Sequence, residues 1–324
     1  MKEYKIIDYE TRYKDALIRF IKSAHPDYSD VYIDFCVNKA EGHFKSTIVI
    51  DDNNNIVGVH LWFNTTIKVN GTVLPTAWGH DTFLNIEDRK YIGLDFILTI
   101  RNPYAMGIGL TDINEKIQKK SKAPLLENYY NIFCFSIWTP FLFLLNHSKK
   151  NRPLKVEDIR ANGYTFGLTK SVNEISFING GFWYKDYVDA DLYRGEDFLK
   201  MRFFENNVFD YYVYTEKSNK VPCYFVVRPI CYKRIPALLL VDFRYDISKP
   251  YLLESILKAV KAIAFYNNLG LIMTTIGDKN ALKFYDNIFT LKRKTSIVYG
   301  KKLRLNSTST MPITPADADI DYHR

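Results

Sequence analysis

Between residues 76 and 93 the chain collects the side chains best suited to chemistry. The run Thr76-Ala77-Trp78-Gly79-His80-Asp81-Thr82-Phe83-Leu84 has the character of a strand and sets an imidazole beside a carboxylate. In a regular strand His80 and Thr82 point to one face, and Asp81 and Phe83 to the other. Histidine titrates near ~6.5, so His80 is a candidate general base; it could also contact substrate, or be a structural histidine bonded in a core. Asp81 would need a raised pKa for the same task, or would anchor an ammonium. A charged turn follows, Asp88-Arg89-Lys90-Tyr91-Ile92-Gly93, with a helix predicted from Leu94 to about Ile100. Helix N-termini present unpaired amides, and with Arg89 and Lys90 beside them these can capture an anion such as a pyrophosphate.

The elements that must position these residues follow from periodicity. Residues 11–22 place Ala16, Leu17, Phe20 and Ile21 on one side of a helix. Ser46–Ile50 and Ile56–Trp62 flank Asp51-Asp52-Asn53-Asn54-Asn55, a β-hairpin with an Asx-rich turn, and a second hairpin turns at Asn70-Gly71. Past the charged turn, Tyr104–Leu110 reads as another strand, followed by Asn114-Glu115-Lys116. The same order then recurs. Glu196–Phe203 reads as a helix, and Phe209–Thr215, Tyr224–Val227 and Ala237–Phe243 as strands. A long amphipathic helix runs from Tyr251 to Asn267 with Gly270 at a C-cap position, then a strand, Leu271–Ile276, and a closing helix carrying Tyr285. The expected class is α/β, with mixed sheets in two domains, 1–145 and 163–304, a linker at 146–162 and a loose polar tail at 305–324.

This order, strand-turn-helix-strand after an antiparallel meander, resembles the acyl-CoA-binding half of the GNAT (Gcn5-related N-acetyltransferase) superfamily. The family's turn reads roughly Arg/Gln-x-x-Gly-x-Gly/Ala; here Asp88 occupies the Arg/Gln slot, Tyr91 stands at the first Gly, and Gly93 keeps the last position. The resemblance implies two GNAT-like domains, each a mixed, mostly antiparallel sheet flanked by helices. It implies acyl-CoA (acetyl-CoA or 3-hydroxyacyl-CoA) as co-substrate, and no metal. Coenzyme contacts would come from Thr82, Phe83, Leu84, Arg89, Lys90, Tyr91, Ile92, Gly93 and Asn114, with backbone amides of about His80 to Phe83 receiving the thioester oxyanion. Catalysis would fall to His80 and Asp81. The stretch Asn114–Lys122 holds Ser121 but no Tyr where many family members place a general acid; a CoA thiolate can leave without one. The second copy reads Asp246-Ile247-Ser248-Lys249-Pro250 at its turn, and proline removes a donor. The first copy is therefore expected to hold the coenzyme and the second to shape the substrate cleft. Trp78, Trp183 and Tyr184 are substrate-binding candidates. Gly180-Gly181-Phe182-Trp183-Tyr184 offers a stacking surface for a base or sugar, or a plug joining the domains. Tyr285 reads as packing.

The second-domain opening resembles tandem GNAT proteins of bacterial surface-polysaccharide pathways. That implies acyl transfer to the amine of a nucleotide-linked amino-deoxysugar such as a dTDP-3-amino-3,6-dideoxyhexose, for O-antigen (lipopolysaccharide) or capsule synthesis. Two other readings stay open: a transferase loading amino acids from aminoacyl-tRNA onto cell-wall precursors, and a non-catalytic tandem protein that binds a nucleotide or a membrane surface.

Composition bounds these options. The 324 residues suit two domains, and 47% hydrophobic with 25% charged is a globular balance. Aromatics are abundant, with 24 Tyr and 22 Phe, enough to fill cores and line clefts. The net charge of +8 is spread over short clusters, such as Lys292-Arg293-Lys294 and Lys301-Lys302-Arg304, which argues against a nucleic-acid groove and suits phosphorylated ligands. Four cysteines without a CxxC pair point away from zinc and disulfides and toward a reducing cytoplasm; Cys134, in an apolar run, reads as packing. The first 17 residues lack a signal-peptide pattern. The longest apolar stretch, Ile132–Leu145, falls short of the ~20 residues of a membrane helix and contains Pro140, so a buried connector between domains is expected there rather than an interfacial anchor, while Lys149, Lys150 and Arg152 just after it leave a peripheral membrane contact open. The expected assembly is a monomer or homodimer.

Overall fold

The structure, a computed structural model, describes residues 3–38, 42–85, 87–100, 102–108, 123–145, 153–155, 158–175, 181–184, 187–206, 208–218, 221–277, 279–285 and 289–317. The chain forms two compact units. Unit 1 comprises Met1–Ile67, Val73–Leu125 and Ile297–Asn306, and unit 2 comprises Lys68–Thr72, Leu126–Ser296 and Ser307–Arg324.

Unit 1 is a mixed sheet ordered β1 (Tyr4–Asp8), β2 (Thr47–Asp51), β3 (Ile56–Val69, as far as Ile67), β4 (Thr72–Leu84, from Val73), β5 (Ala105–Ile108) and the end of β14 (Thr290–Tyr299). Its hairpins form where Asx and Gly residues permit. Asp51 Oδ1 accepts from the amides of Asn53 and Asn55 at 2.9 and 2.8 Å, closing the β2–β3 turn. Asn70 and Gly71 take φ of 46° and 84°, the pair of left-handed residues that a two-residue hairpin between β3 and β4 requires. Helix α1 (Lys14–Ala24) buries Leu17 and Ile21, and α2 (Asp30–Asn38) buries Tyr32, Ile33, Cys36 and Val37. Helix α3 (Arg89–Thr99) sets Ile92 and Phe96, one turn apart, against Val49 and Val57. It starts within the charged turn rather than at Leu94, because Ile92 already belongs to its packing stripe.

Unit 2 is also mostly antiparallel, ordered β14 (as far as Ser296), β6 (Leu125–Phe135), β13 (Leu271–Ile276), β12 (Ile235–Tyr245), β11 (Cys223–Tyr232), β10 (Tyr212–Glu216), β8 (Tyr164–Leu168) and β7 (Ile159–Ala161). Its helices are α4 (Thr139–Leu145), α5 (Glu196–Leu199, continued by a π-helical turn Lys200–Phe204), α6 (Pro250–Tyr266) and α7 (Lys279–Phe284), and β9 is Ala190–Leu192. Leu252, Ile256, Val260 and Ile263 of α6 pack with Phe225, Leu238, Leu240 and Ile272 of the sheet. At about 1.5–3 kcal/mol per buried aliphatic side chain, α6 is the principal clamp of this core.

The structure departs from the sequence-based expectations of the fold at four further places. Strand β6 and helix α4 lie in unit 2, since β6 pairs with β13 from Phe135↔Leu271 to Tyr130↔Ile276, and Ile297–Asn306 lies in unit 1. Ile132–Leu145 is no buried connector: it is the end of a strand and a short helix whose Trp138, Phe141 and Leu144 are exposed. The described part of the polar tail, 305–317, is packed rather than loose, and Met311, Ile313 and Ala316 are buried between its serines and threonines. Gly270 does not cap α6; Asn268 takes the positive φ of 53°, and Gly270 is small because a Cβ there would press on Leu142 and Ile235.

Candidate active site

In unit 1 the parallel strands β4 and β5 pair at Ala77↔Ala105 and Trp78↔Met106. Among the described residues the pairing goes no further, although β4 continues to Leu84 and β5 to Ile108. On its other edge β5 stays paired, Met106, Gly107 and Ile108 facing Tyr299, Val298 and Ile297 of β14. Two parallel strands that part company leave alternate amides of Gly79–Leu84 without a sheet partner on that edge. Such amides are donors suited to an elongated polar ligand or a developing oxyanion.

His80 sits just past the parting. It is buried, and its Nε2 lies 3.3 Å from Tyr32 Oη and 3.1 Å from Cys36 Sγ, both on α2. With its proton on Nε2 the neutral ring donates to one of these groups, so the imidazole is held by a helix rather than by a flexible loop and Nδ1 carries the basic lone pair. His25, Tyr28 and Tyr32 form a ladder of rings, with centroids 4.6 and 4.9 Å apart, that also meets Phe83 at 4.1 Å. Thr82 turns elsewhere, and its Oγ1 lies 2.6 Å from His60 Nδ1 on β3, the same imidazole that a Cβ on Gly79 would touch. The side chains thus do not alternate as a regular strand predicts. Gly79 and Thr82 share one set of neighbours, and His80 and Phe83 share another. A one-residue slip of this kind is what a β-bulge produces, and bulges re-aim side chains at sites of chemistry. The expectation that His80 and Thr82 face the same way is corrected accordingly. The Asp81 side chain lies outside the described residues.

His60 is a participant that sequence reasoning passed over. Burial, with the nearby His80 adding to it, pushes its imidazole down to about 3, so it is neutral at physiological pH. Its Nε2 is buried and has no hydrogen-bond partner among the described residues. The two-residue hairpin at Asn70-Gly71 was the available signal. Its register runs back along β3 and brings His60 opposite the His80–Thr82 stretch.

At the start of α3 the amide of Arg89 donates to Asn85 O at 3.1 Å, and those of Tyr91 and Ile92 donate to Asp88 O at 3.0 and 3.2 Å. These amides are already engaged in the turn and the helix. Arg89 Nε is tied to Leu84 O at 3.0 Å, Lys90 Nζ sits 4.8 Å over the Tyr91 ring, and both cations are exposed. Asp88 is buried, and its carboxylate accepts a 2.5 Å hydrogen bond from Tyr4, whose phenol that bond raises to about 12. Gly93 sits in the second turn of α3 with open space where a Cβ would lie. Asn114 lies outside the described residues. Trp78 is buried, with its indole N–H unpaired among the described residues.

Unit 2 repeats the geometry and fills it. Parallel strands β12 and β13 pair at Ala237↔Leu271, Leu238↔Ile272 and Leu239↔Met273, and β12 then continues to Tyr245. Past that point lies a buried ion network. Arg194 pairs with Asp242 at 3.0 Å and with Asp317, Tyr224 donates to Asp242 at 2.7 Å, and Arg244 lies 3.4 Å from Asp242 and 4.0 Å from Asp191. Burial works against every charge here. For Arg194 the carboxylates of Asp242 and Asp317 outweigh it and hold the guanidinium above its usual range, while the two arginines hold Asp242 below the usual carboxylate range. Burial prevails at Asp191, which is raised. Two arginines thus face three carboxyl groups, of which Asp242 is held low and Asp191 is raised, a balance that tolerates full burial. Trp183 and Tyr184 donate their amides to Asp191 at 2.9 and 3.2 Å, and the Tyr184 ring lies against Arg244 and Tyr245. They plug unit 2 itself. Tyr184, buried, offers no free face to a base or sugar. Tyr285 is buried as well, its phenol raised by burial. Among the described residues no three His, Cys, Asp or Glu side chains converge as metal ligands, and no helix is long and apolar enough to cross a membrane.

The fold is the GNAT fold: mixed α/β units in which mostly antiparallel strands are flanked by helices and one parallel pair diverges. No protein-family model and no curated protein sequence matches the chain. Among solved structures, a protein of unknown function from Enterococcus faecalis V583, described as a probable N-acyltransferase, is similar with a TM-score of 0.60, covering 93% of this chain and 73% of its own at 8% identity. Saccharomyces cerevisiae N-myristoyltransferase, solved with bound myristoyl-CoA, follows at 0.58, 92%, 79% and 11%. A GCN5-related N-acetyltransferase from Anabaena variabilis is similar at 0.53, 91%, 72% and 11%. Identities at this level establish a shared fold.

Proposed function

We propose that the protein is an acyl-CoA-dependent N-acyltransferase whose unit 1 holds the coenzyme. The observation that carries this reading is the parting of β4 from β5 after Trp78 and Met106, with His80 on the freed stretch. A pantetheine arm is a chain of amides and can pair with freed strand amides as an extra strand would. The thioester carbonyl would then lie near an amide donor beside the bulge. The lone pair of an acceptor amine attacks the carbonyl carbon, the C–S bond breaks, and the thiolate departs as CoA. His80, directly or through a water, takes the amine proton, while Tyr32 and Cys36 keep its ring in place. The bound myristoyl-CoA of the yeast structure supports the choice of donor class.

For the diphosphate, the proposal assigns the exposed Arg89 and Lys90 at the start of α3, with Ile92 and Gly93 behind them. For the acceptor, it retains the amine of a nucleotide-linked amino-deoxysugar, such as a dTDP-3-amino-3,6-dideoxyhexose on a route to O-antigen, with acetyl or a short hydroxyacyl as the group moved. Its support is the sequence resemblance. Arg194 and Arg244 of unit 2 are matched by carboxylates and are not free to bind such a ligand.

Calorimetric titration with CoA, paired with thiol release and product mass on amino-sugar nucleotides and simple amines, tests both levels. The expected result is CoA binding that Gly93→Trp abolishes, because the open space beside Gly93 admits the indole without disturbing the helix. CoA affinity unchanged in that variant would move the coenzyme elsewhere. Release of thiol with simple amines only would remove the sugar nucleotide.

A further inference from the structure

Unit 2 carries an apolar groove of about 850 Å³ that the described chain leaves uncovered. Its walls include Phe135, Trp138, Phe141, Leu142, Phe265 and Phe289, contributed by β6, α4, α6 and the start of β14. Four of these aromatics stand well out: Trp138 is 55% exposed, Phe141 60%, Phe265 71% and Phe289 47%. Ile137, Leu144, Tyr266 and Leu291 extend the exposed set along the chain. Single exposed apolar residues are ordinary, but a contiguous set of this size marks a surface that meets something other than water.

Charge indicates what that is. Among the described residues of the lining, Lys261, one turn before Phe265 on α6, is the only charged one, and none is a carboxylate. The exposed Lys155 is fixed at the end of the same helix, its amide donating to Asn267 Oδ1 at 2.6 Å. Arg293 is exposed two residues beyond Leu291. Among the described residues none of these three cations has an ion-pair partner. The sequence following α4, Asn-His-Ser-Lys-Lys-Asn-Arg at 146–152, carries three further positive charges. Tryptophan, tyrosine and phenylalanine with lysine and arginine at their edge are the residues of a bilayer interface. A second copy of the chain is a poorer occupant, because a two-fold contact on this face would bring its unpaired cations together.

We infer that this face of unit 2 docks on an anionic lipid bilayer, with the aromatics of α4 and α6 in the interface and Lys155, Lys261 and Arg293 against acidic headgroups. The attachment is peripheral and independent of the coenzyme site in unit 1. Co-sedimentation with phosphatidylcholine vesicles, with and without one-third phosphatidylglycerol, tests it. The protein should pellet with the anionic vesicles at low salt and be released at high salt. The triple variant Trp138→Ser, Phe141→Ser, Phe265→Ser should bind at least tenfold more weakly, and Lys261→Glu several-fold, each with the circular dichroism spectrum of the parent. Failure to pellet with anionic vesicles would overturn the assignment, as would undiminished pelleting of the triple variant. A dimer in sedimentation velocity that the triple variant disperses would also overturn it and give the face to a second copy.

Discussion

Units 1 and 2 each contain a parallel strand pair that begins in register and then opens, and the contents of the two openings differ. The last paired residues are Trp78 on β4 and Leu239 on β12. Counted from them, Asp81 and Asp242 occupy the same place, as do the first residues of the following helices, Arg89 of α3 and Pro250 of α6. Both strands depart from regular alternation near that place: on β12 the register against β11 jumps from Val226↔Asp242 to Val227↔Leu240, and on β4 the side-chain neighbours slip between Gly79 and Thr82. At the position where unit 1 has His80, unit 2 has Val241. Where unit 1 leaves strand amides without a sheet partner, unit 2 has Arg194 and Thr314 gathered on Asp242, with Asp317 pairing in turn with Arg194. The same backbone device can frame a ligand site or a buried ionic lock, and side chains decide which.

That comparison can be broken or sharpened by substitution, beginning with the largest effect. His80→Ala should lower kcat by about 10²–10⁴-fold with CoA affinity unchanged, as expected for a lost general base; full turnover in that variant would strip unit 1 of its assigned role. Asp242→Asn should cost unit 2 about 3–5 kcal/mol in urea unfolding, because Arg194 and Arg244 lose the carboxylate they share. A loss under 1 kcal/mol would show that the lock is ornamental. His60 offers a test by pH. Its folded pKa is depressed to about 3 by burial, so the unfolded state binds the extra proton. The stability it contributes is complete above its ordinary value of ~6.5 and is lost as pH falls from there toward 3. Between those limits unit 1 of the parent should lose up to about 1.4 kcal/mol per pH unit more than His60→Gln, and equal slopes would contradict the neutral, buried imidazole. Smallest is Gly93→Ala, expected to raise stability by about 0.5–1 kcal/mol, since its added methyl meets nothing and glycine is a poor helix former. Destabilisation there would mean that the open space is not open.

Much of the frame was legible because local chemistry dictated it. Asp51–Asn55 and Asn70-Gly71 are turns by their own side chains and φ preferences, and α6 and β13 announced themselves by unbroken periodicity. Other features depended on partners far away in sequence. Nothing within residues 76–84 reveals that Thr82 turns to His60 while Phe83 turns to His25. The bulge follows from how β3 and α2 pack, and propensity does not carry that information. The tail at 305–317 reads as polar because Ser and Thr separate its apolar residues, yet Asp317 is a counterion whose arginine lies over a hundred positions earlier. Trp183 and Tyr184 are conspicuous in the sequence as an aromatic pair after glycine, but that pattern does not reveal that their amides bind Asp191 within unit 2.

The central claim, that coenzyme enters the opening of unit 1 and not that of unit 2, is tested most directly by backbone hydrogen exchange with and without CoA. New protection should map to residues 79–93, and residues 240–252 should exchange at unchanged rates. Protection confined to 240–252, or none in either stretch, would contradict it.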